Sequence, residues 1–531
     1  MRVFWECNQT TKGTTWRINR LFMYQFLEEN GFGTFRESSK RTIEGNLIQI
    51  DEGVVRPHTL RSIRKWVLRY VDSLSDPDRD NGLEALVRYG DLKEDLITFL
   101  PVYSSSTVEQ DKPVKFVQDD YKVSRIPFKN GVVEITQEHI TVYPIRSLTD
   151  RGCIWETQIN GNEIEIQNDS EFKKGEFYKF IQSAMTVGLN EDNSDERNSR
   201  LNSLETAIGY LVHRYNDPSV PKSVIFVDKE SSHGNVEGRN GKSLVAKGLS
   251  YVIPTQTLDG RKNGRILGTR DGKFVFASIN DDTRLLVLDD CSEDLRFDSI
   301  FSMITGDFEV ERKRIDSFTI PSSKKPKFLI TTNYVLPQLG TSYVARQHIV
   351  EFGNYWNLLF RTKNQTPSQV YKRRMFDDWK DEDWSDFYNY IFYCVQRYLN
   401  EGLKESSLDN YRQKQMKYVI EGNKDLGFVD WMDNWISTER VDKGHHLNNG
   451  ISIKALHMNI LQDLPDLKWS EKDLKNGLWR YCETQGYGYN EQLSHKGSSL
   501  TDRRNRKGPK GQQQEYICIT TPDDNQLDKV A

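Results

Sequence analysis

The stretch from Val224 to Val252 restricts this chain more than any other. Val224-Ile225-Phe226-Val227 is an unbroken apolar run, which reads as a strand buried on both faces. A polar loop ends in Glu237-Gly238-Arg239-Asn240-Gly241-Lys242-Ser243, and a helical run, Leu244 to Val252, follows. Strand, glycine-bearing loop, Lys-Ser and helix make a phosphate cradle. Glycines let backbone N–H groups converge on phosphate oxygens, and the helix N-terminus adds the positive end of its dipole. Lys242 would reach the β- and γ-phosphates of a nucleotide, and the Ser243 hydroxyl would bind Mg²⁺. The usual spacing, G-x-x-x-x-G-K-S, wants glycine at 236, where this chain has Val236. A lone Gly-Lys-Ser discriminates poorly, so its partners decide the reading.

Two further apolar runs supply them. Arg284-Leu285-Leu286-Val287-Leu288 ends in Asp289-Asp290. A strand ending in paired carboxylates suits a metal-site ligand, Asp289, acting through water, followed by Asp290 to orient an attacking water. Lys327-Phe328-Leu329-Ile330-Thr331-Thr332 ends in Asn333, an amide placed to sense a γ-phosphate. Arg346 follows, in Val344-Ala345-Arg346-Gln347-His348, and a guanidinium there could reach a neighbouring subunit's nucleotide. Taken singly, such an arginine is more often a surface salt-bridge former.

Between the acidic pair and Thr-Thr-Asn lies Thr305-Gly306-Asp307, with Arg312-Lys313-Arg314 beyond it. Phosphate loop, Asp-Asp, T-G-D with a basic cluster, T-T-N and an arginine before a strand together resemble a superfamily 3 helicase. More narrowly, the order resembles the phage and poxvirus type of helicase–primase ATPase, an AAA+ protein. The resemblance covers roughly residues 216–360 and continues more loosely through Trp379 to Tyr398. It implies an ATP and Mg²⁺ site at Gly238, Arg239, Asn240, Gly241, Lys242, Ser243 and Leu244. Catalytic roles fall to Lys242, Asp289, Asp290, Asn333 and Arg346, with Ser243 and Asp289 as metal ligands. In that family Lys313 and Arg314 would lie near a DNA-contacting hairpin in the central channel of a ring.

The rest of the chain is read around that core. Leu60 to Val71 forms a helix with Leu60, Ile63, Val67 and Val71 on one stripe and basic residues on another. Ser75 to Asp80, with Pro77, reads as a polar loop rather than a carboxylate metal site. Asn130-Gly131 signals a hairpin turn. Leu201 to Tyr215 and Tyr371 to Leu403 read as helices, the second with an aromatic stripe that suits a core. Ser470-Glu471-Lys472-Asp473 resembles a capping box. Arg503, Arg504, Arg506 and Lys507, before a strand-like Glu515 to Thr520, suit a wing that touches DNA phosphates.

The expected fold class is α/β: an AAA+-type P-loop ATPase core, an α+β N-terminal region and a C-terminal winged-helix-like domain. The expected divisions are 1–112, an N-terminal α+β region, and 113–215, the domain preceding the helicase with its helical lead-in. Then come 216–365, the ATPase core; 366–427, a helical segment; 428–522, the winged-helix-like basic domain; and 523–531, a polar tail.

Composition limits the function classes. The 73 Lys and Arg against 77 Asp and Glu give a net charge of −4, which argues against a protein basic all over, not against a local basic channel. No 18-residue apolar run and no secretory signal are visible, so no membrane partner is expected. Six dispersed cysteines with no C-x-x-C point away from zinc ribbons and disulfide frameworks, towards the cytoplasm of a host cell. The leading expectation is a ring-forming, homo-hexameric, ATP-dependent DNA helicase in viral or phage replication, acting on single-stranded or forked DNA. A primase or polymerase docking on the N-terminal region would be a further partner. The alternatives are a replication-origin-binding ATPase and a bifunctional primase-helicase.

Overall fold

The computed structural model describes residues 3–11, 13–36, 46–89, 100–104, 111–189, 194–229, 238–280, 282–336, 340–422, 426–441, 450–490, 505–507 and 513–520. Among them the chain is a mixed α/β structure with seventeen α-helices and seven sheets.

The central element is a five-stranded sheet of β1 (Ser223–Asp228), β2 (Thr255–Asp259), β3 (Leu285–Cys291), β4 (Lys327–Thr332) and β5 (Gln347–Phe352). All neighbours run parallel, in the order β2-β3-β4-β1-β5. Every residue of β1, β4 and β5 is buried, which is why the middles of β1 and β4, Val224–Val227 and Phe328–Ile330, are unbroken apolar runs. Helices α1 (Lys242–Ser250) and α2 (Gly260–Ile266) follow β1 and β2. Helix α3 (Phe301–Thr305) leads into an antiparallel hairpin, Phe308–Arg312 with Ile315–Ile320. Helices α4 (Thr341–Arg346) and α5 (Tyr355–Lys363) flank β5.

One core joins a face of this sheet to the Ser194–Val212 and Asp381–Glu401 helices; another fills the opposite face. The two helices approach so closely that a Cβ at Gly209 would sit 2.2 Å from the Cys394 carbonyl oxygen. The aromatic stripe is core, with Trp379, Phe387, Tyr388, Ile391 and Cys394 all buried.

Upstream, a six-stranded sheet carries Val54–Pro57 beside Asn46–Asp51 and Phe32–Arg36. Its edge strand, Ile154–Trp155, pairs with Val54 and Val55, so this sheet crosses the division expected at residue 112. Downstream, helices Phe428–Val441, Ile453–Asp463 and Glu471–Gln485 surround their own core. Antiparallel strands Ile451–Ser452, Gln513–Ile517 and Asn505–Lys507 complete that unit. Its last helix opens on the capping box expected at Ser470 and Asp473.

Several local expectations are corrected. Residues 76–80 are not loop: a helix spans Asp76–Tyr89. Asp76 and Asp78 favour its positive end, and Pro77 is tolerated in a first turn, where N–H groups lack partners anyway. The helix expected at Leu201 begins at Ser194, with acidic Asp195 and Glu196 in its first turn, and stops at Val212, short of Tyr215. The one expected from Tyr371 starts only at Asp381, because Lys372 and Phe376 adopt φ of +57° and +70°. The hairpin turn is Lys129-Asn130, with Phe128 paired to Gly131. The Asn130 amide fixes it by bonding Ile164 through both its N–H and its oxygen. The strand expected over Glu515 to Thr520 is two strands, Gln513–Ile517 and Ile519–Thr520. The tail 523–531 lies outside the described residues, and among the described residues no helix is long and apolar enough to cross a membrane. All six cysteines are free.

Candidate functional site

The chain leaves β1 towards the β2 edge of the sheet and returns from β4 to β5 on β1's other side. The strand order therefore reverses at β1, and the crevice beyond the carboxyl ends of the strands there is where open α/β sheets take ligands. At that end Gly241, at φ +99°, caps α1 without any side-chain hydrogen bond. A Cβ at 241 would lie 2.6 Å from the Phe180 ring, so glycine is required twice over. The first two N–H groups of α1, those of Lys242 and Ser243, lie ahead of the helix's first bonds, which run from Leu244 and Val245 to the Gly241 carbonyl.

Lys242 is buried at the mouth of this crevice. Its ammonium donates to Asn333 Oδ1 at 2.7 Å and pairs with Asp228 Oδ1 at 2.5 Å. Burial lowers its pKa, and the Asp228 carboxylate opposes that shift. Asp228 ends β1 and is itself buried; its Oδ2 has no hydrogen-bond partner among the described residues.

Beside it, the Ser243 hydroxyl donates to Asp289 Oδ1 at 2.8 Å, and the Thr331 hydroxyl donates to the same oxygen at 2.6 Å. Thr331 also accepts from the Asp290 N–H at 2.8 Å. Asp290 sits at φ +56°, where the β3–β4 register shifts between Leu288 and Cys291. The carboxylate accepts from Asn333 Nδ2 at 3.3 Å and from Arg261 Nε at 2.7 Å. Lys242, Ser243, Asp289, Asp290 and Asn333, joined by Thr331 and by Asp228, thus form one polar network drawn from three adjacent strands and one helix.

The loop before α1 is held from behind. The Gly238 carbonyl accepts from Asn357 Nδ2 at 2.8 Å, and the Arg239 guanidinium lies 3.8 Å from the centre of the Phe360 ring, both partners being on α5. Asn240 is buried, its Oδ1 lacking a partner among the described residues; Leu244 packs into the core. Val236 and Glu237 lie outside the described residues.

Arg346 is not in this network. Gln347 pairs with Ser223, the first residue of β1, and Phe352 with Asp228, the last. Arg346 is therefore at the opposite end of the strands, about 17 Å from the crevice at roughly 3.3 Å per residue. Lys313 and Arg314 are exposed at the turn of the hairpin after α3. Arg506 lies over Tyr516, 4.3 Å from the ring centre. Lys507 is in the same strand, but its side chain is outside the described residues, as are Arg503 and Arg504 altogether.

The donor set fits a small hard cation shared with phosphate. A hydroxyl and a carboxylate oxygen, Ser243 Oγ and Asp289 Oδ1, already adjoin, and Mg²⁺ commonly takes only one or two protein oxygens beside phosphate and water. Outward N–H groups of α1 and the Lys242 ammonium suit the phosphates themselves. Sequence reading missed Asp228, Arg261 and Thr331. Asp228 ends the apolar run before the loop and Thr331 stands inside Thr-Thr-Asn, so both carried a positional signal. Arg261 carried none.

No protein-family profile and no curated protein matches the chain. Among solved structures, two of the apo A form of the NrS-1 C-terminal region align with it at 12% identity. They cover 94% of this chain and 99% and 100% of their own, with TM-scores of 0.41 and 0.40.

Proposed function

We propose that the chain is an ATP-hydrolysing motor of the superfamily 3 helicase type, which assembles as a ring on DNA and serves replication. One observation carries the reading: five residues singled out by motif order, Lys242, Ser243, Asp289, Asp290 and Asn333, are hydrogen-bonded, with Thr331 as the link, into one network at the reversal point of a parallel sheet.

In this reading Lys242 exchanges Asp228 and Asn333 for β- and γ-phosphate oxygens, and the α1 N–H groups take the rest of the anion's charge. Ser243 and Asp289 hold Mg²⁺, which supplies charge neutralisation at the phosphates. Asp290 accepts a proton from, or orients, the attacking water, and Asn333 aligns it. Arg346 lies too far away to serve this site and acts on that of a second copy. Exposed Lys313 and Arg314 carry contacts to the phosphates of a DNA strand.

The test is ATP turnover by the purified chain with and without single-stranded DNA. Turnover raised by DNA, with strand separation of one polarity on forked DNA, supports the motor. Turnover indifferent to DNA favours an origin-binding ATPase that works in assembly.

A further inference from the structure

Arg346 is held in an unusual way for a surface arginine. Its guanidinium carbon lies 4.6 Å from the centre of the Phe301 ring, and its Nη1 donates to the Ser342 carbonyl at 2.9 Å. Its partners among the described residues are thus a ring and a neutral carbonyl, and its buried Nε has no acceptor. The peptide on either side is pinned as well: Lys222 Nζ donates to the Val344 carbonyl at 2.8 Å and the Gln347 carbonyl at 3.1 Å. Phe301 is fixed in turn by edge contacts with Tyr343, 4.9 Å away, and Phe297, 5.5 Å away.

An arginine that only stabilised the surface would be expected to take a carboxylate. This one rests on the negative face of an aromatic ring and one neutral carbonyl, so it keeps its full charge while its direction is set. Its cation is ready for an anion that this chain's own crevice, at the other end of the strands, cannot present. We infer that Phe301 is the positioning residue for Arg346, holding the guanidinium where it meets the terminal phosphate of a nucleotide bound by a second copy of the chain. The inference rests on the nucleotide-site reading above. Phe301 also opens α3, which leads through Gly306 into the Lys313–Arg314 hairpin, so the ring links the cation that meets the neighbour's nucleotide to the strand-contacting turn.

The experiment is ATP turnover and nucleotide affinity for the full chain carrying Phe301→Leu, alone and mixed with Lys242→Ala subunits. Loss of the π face should slow turnover about tenfold, from the strength of a partly desolvated cation–π contact. ATP affinity should stay unchanged, and Phe301→Tyr should restore the rate. Mixing with Lys242→Ala should also restore turnover, because one interface then combines an intact Lys242 with an intact Phe301–Arg346 pair. Pentafluorophenylalanine at 301, with nearly the same shape and a reversed face potential, should behave as leucine does and covers the case in which leucine unfolds the chain. Wild-type turnover with leucine or the fluorinated ring overturns the positioning role. So does a loss that mixing fails to restore while Arg346→Ala mixed with Lys242→Ala recovers. If that Arg346→Ala mixture fails too, action across subunits is wrong; if Lys242→Ala alone hydrolyses ATP normally, the nucleotide-site reading itself is wrong.

Discussion

Lys242 Nζ lies 2.7 Å from Asn333 Oδ1, joining the first residue of α1 to the residue that follows β4. Asp228, 2.5 Å away on the other side, makes the ammonium one corner of a three-residue arrangement. The lysine is therefore stored, desolvated and paired, at the place where the phosphates of a nucleotide would take it over.

Because both charges of the Lys242–Asp228 pair are buried, removing one leaves the other uncompensated. Asp228→Asn should lower stability by about 3–5 kcal/mol. Lys242→Met in the same chain should return a large part of that loss. Denaturant melts of both singles and the double give the coupling directly, and additive losses would mean the pair is not formed.

Thr331 is the hinge pin of the acidic pair, donating to Asp289 and accepting from the Asp290 N–H. Thr331→Val leaves that N–H without its acceptor, at about 1–3 kcal/mol. It should also raise the Mg²⁺ concentration needed for half-maximal ATP turnover, since Asp289 loses its orientation. An unchanged magnesium titration would separate Thr331 from the metal-binding role of Asp289.

How much of this was legible in the sequence depends on how far apart the interacting residues lie. The apolar runs at 224–227, 285–288 and 328–330 read correctly as strands because a doubly buried parallel strand leaves an unbroken apolar signature. The order of those strands, and hence which carboxylate meets which amide, is a matter of packing between segments far apart in the chain. Arg261 shows the limit: nothing near it in sequence marks it as the partner of Asp290. The helix at Asp76–Tyr89 was missed because Asp and Pro serve turns and helix first turns alike, and only the apolar contacts of its later residues decide between them.

Lys327 gives a pH signature. It is buried at the start of β4, donating to the Tyr210 and His213 carbonyls at 2.6 Å each, and burial lowers its pKa to about 7. Above pH 7 the folded chain releases this proton, while the unfolded chain keeps it until near the ordinary lysine value of about 10.4. The unfolded state thus binds more protons in that window, and this group's contribution to stability rises with pH. Melting temperatures of wild type and Lys327→Met, taken from pH 7 to 10, should shift in favour of wild type as pH rises. A constant difference would mean Lys327 titrates normally.

Lys313→Ala and Arg314→Ala should weaken single-stranded DNA binding and flatten its dependence on salt, by about 0.7 in the log–log slope for each phosphate that is no longer neutralised. ATP affinity should not change. Binding isotherms at several salt concentrations check this, and an unaltered slope would remove the hairpin turn from the DNA interface.

The most direct measurement is ATP hydrolysis by wild type and Lys242→Ala side by side, with single-stranded DNA present, both shown to be folded and in the same assembly state. The account predicts turnover stimulated by DNA in wild type and a fall of at least about a hundredfold in the variant, the scale of losing a preorganised charge at the reacting phosphates. Equal rates in the two proteins, or no hydrolysis by wild type, would contradict it.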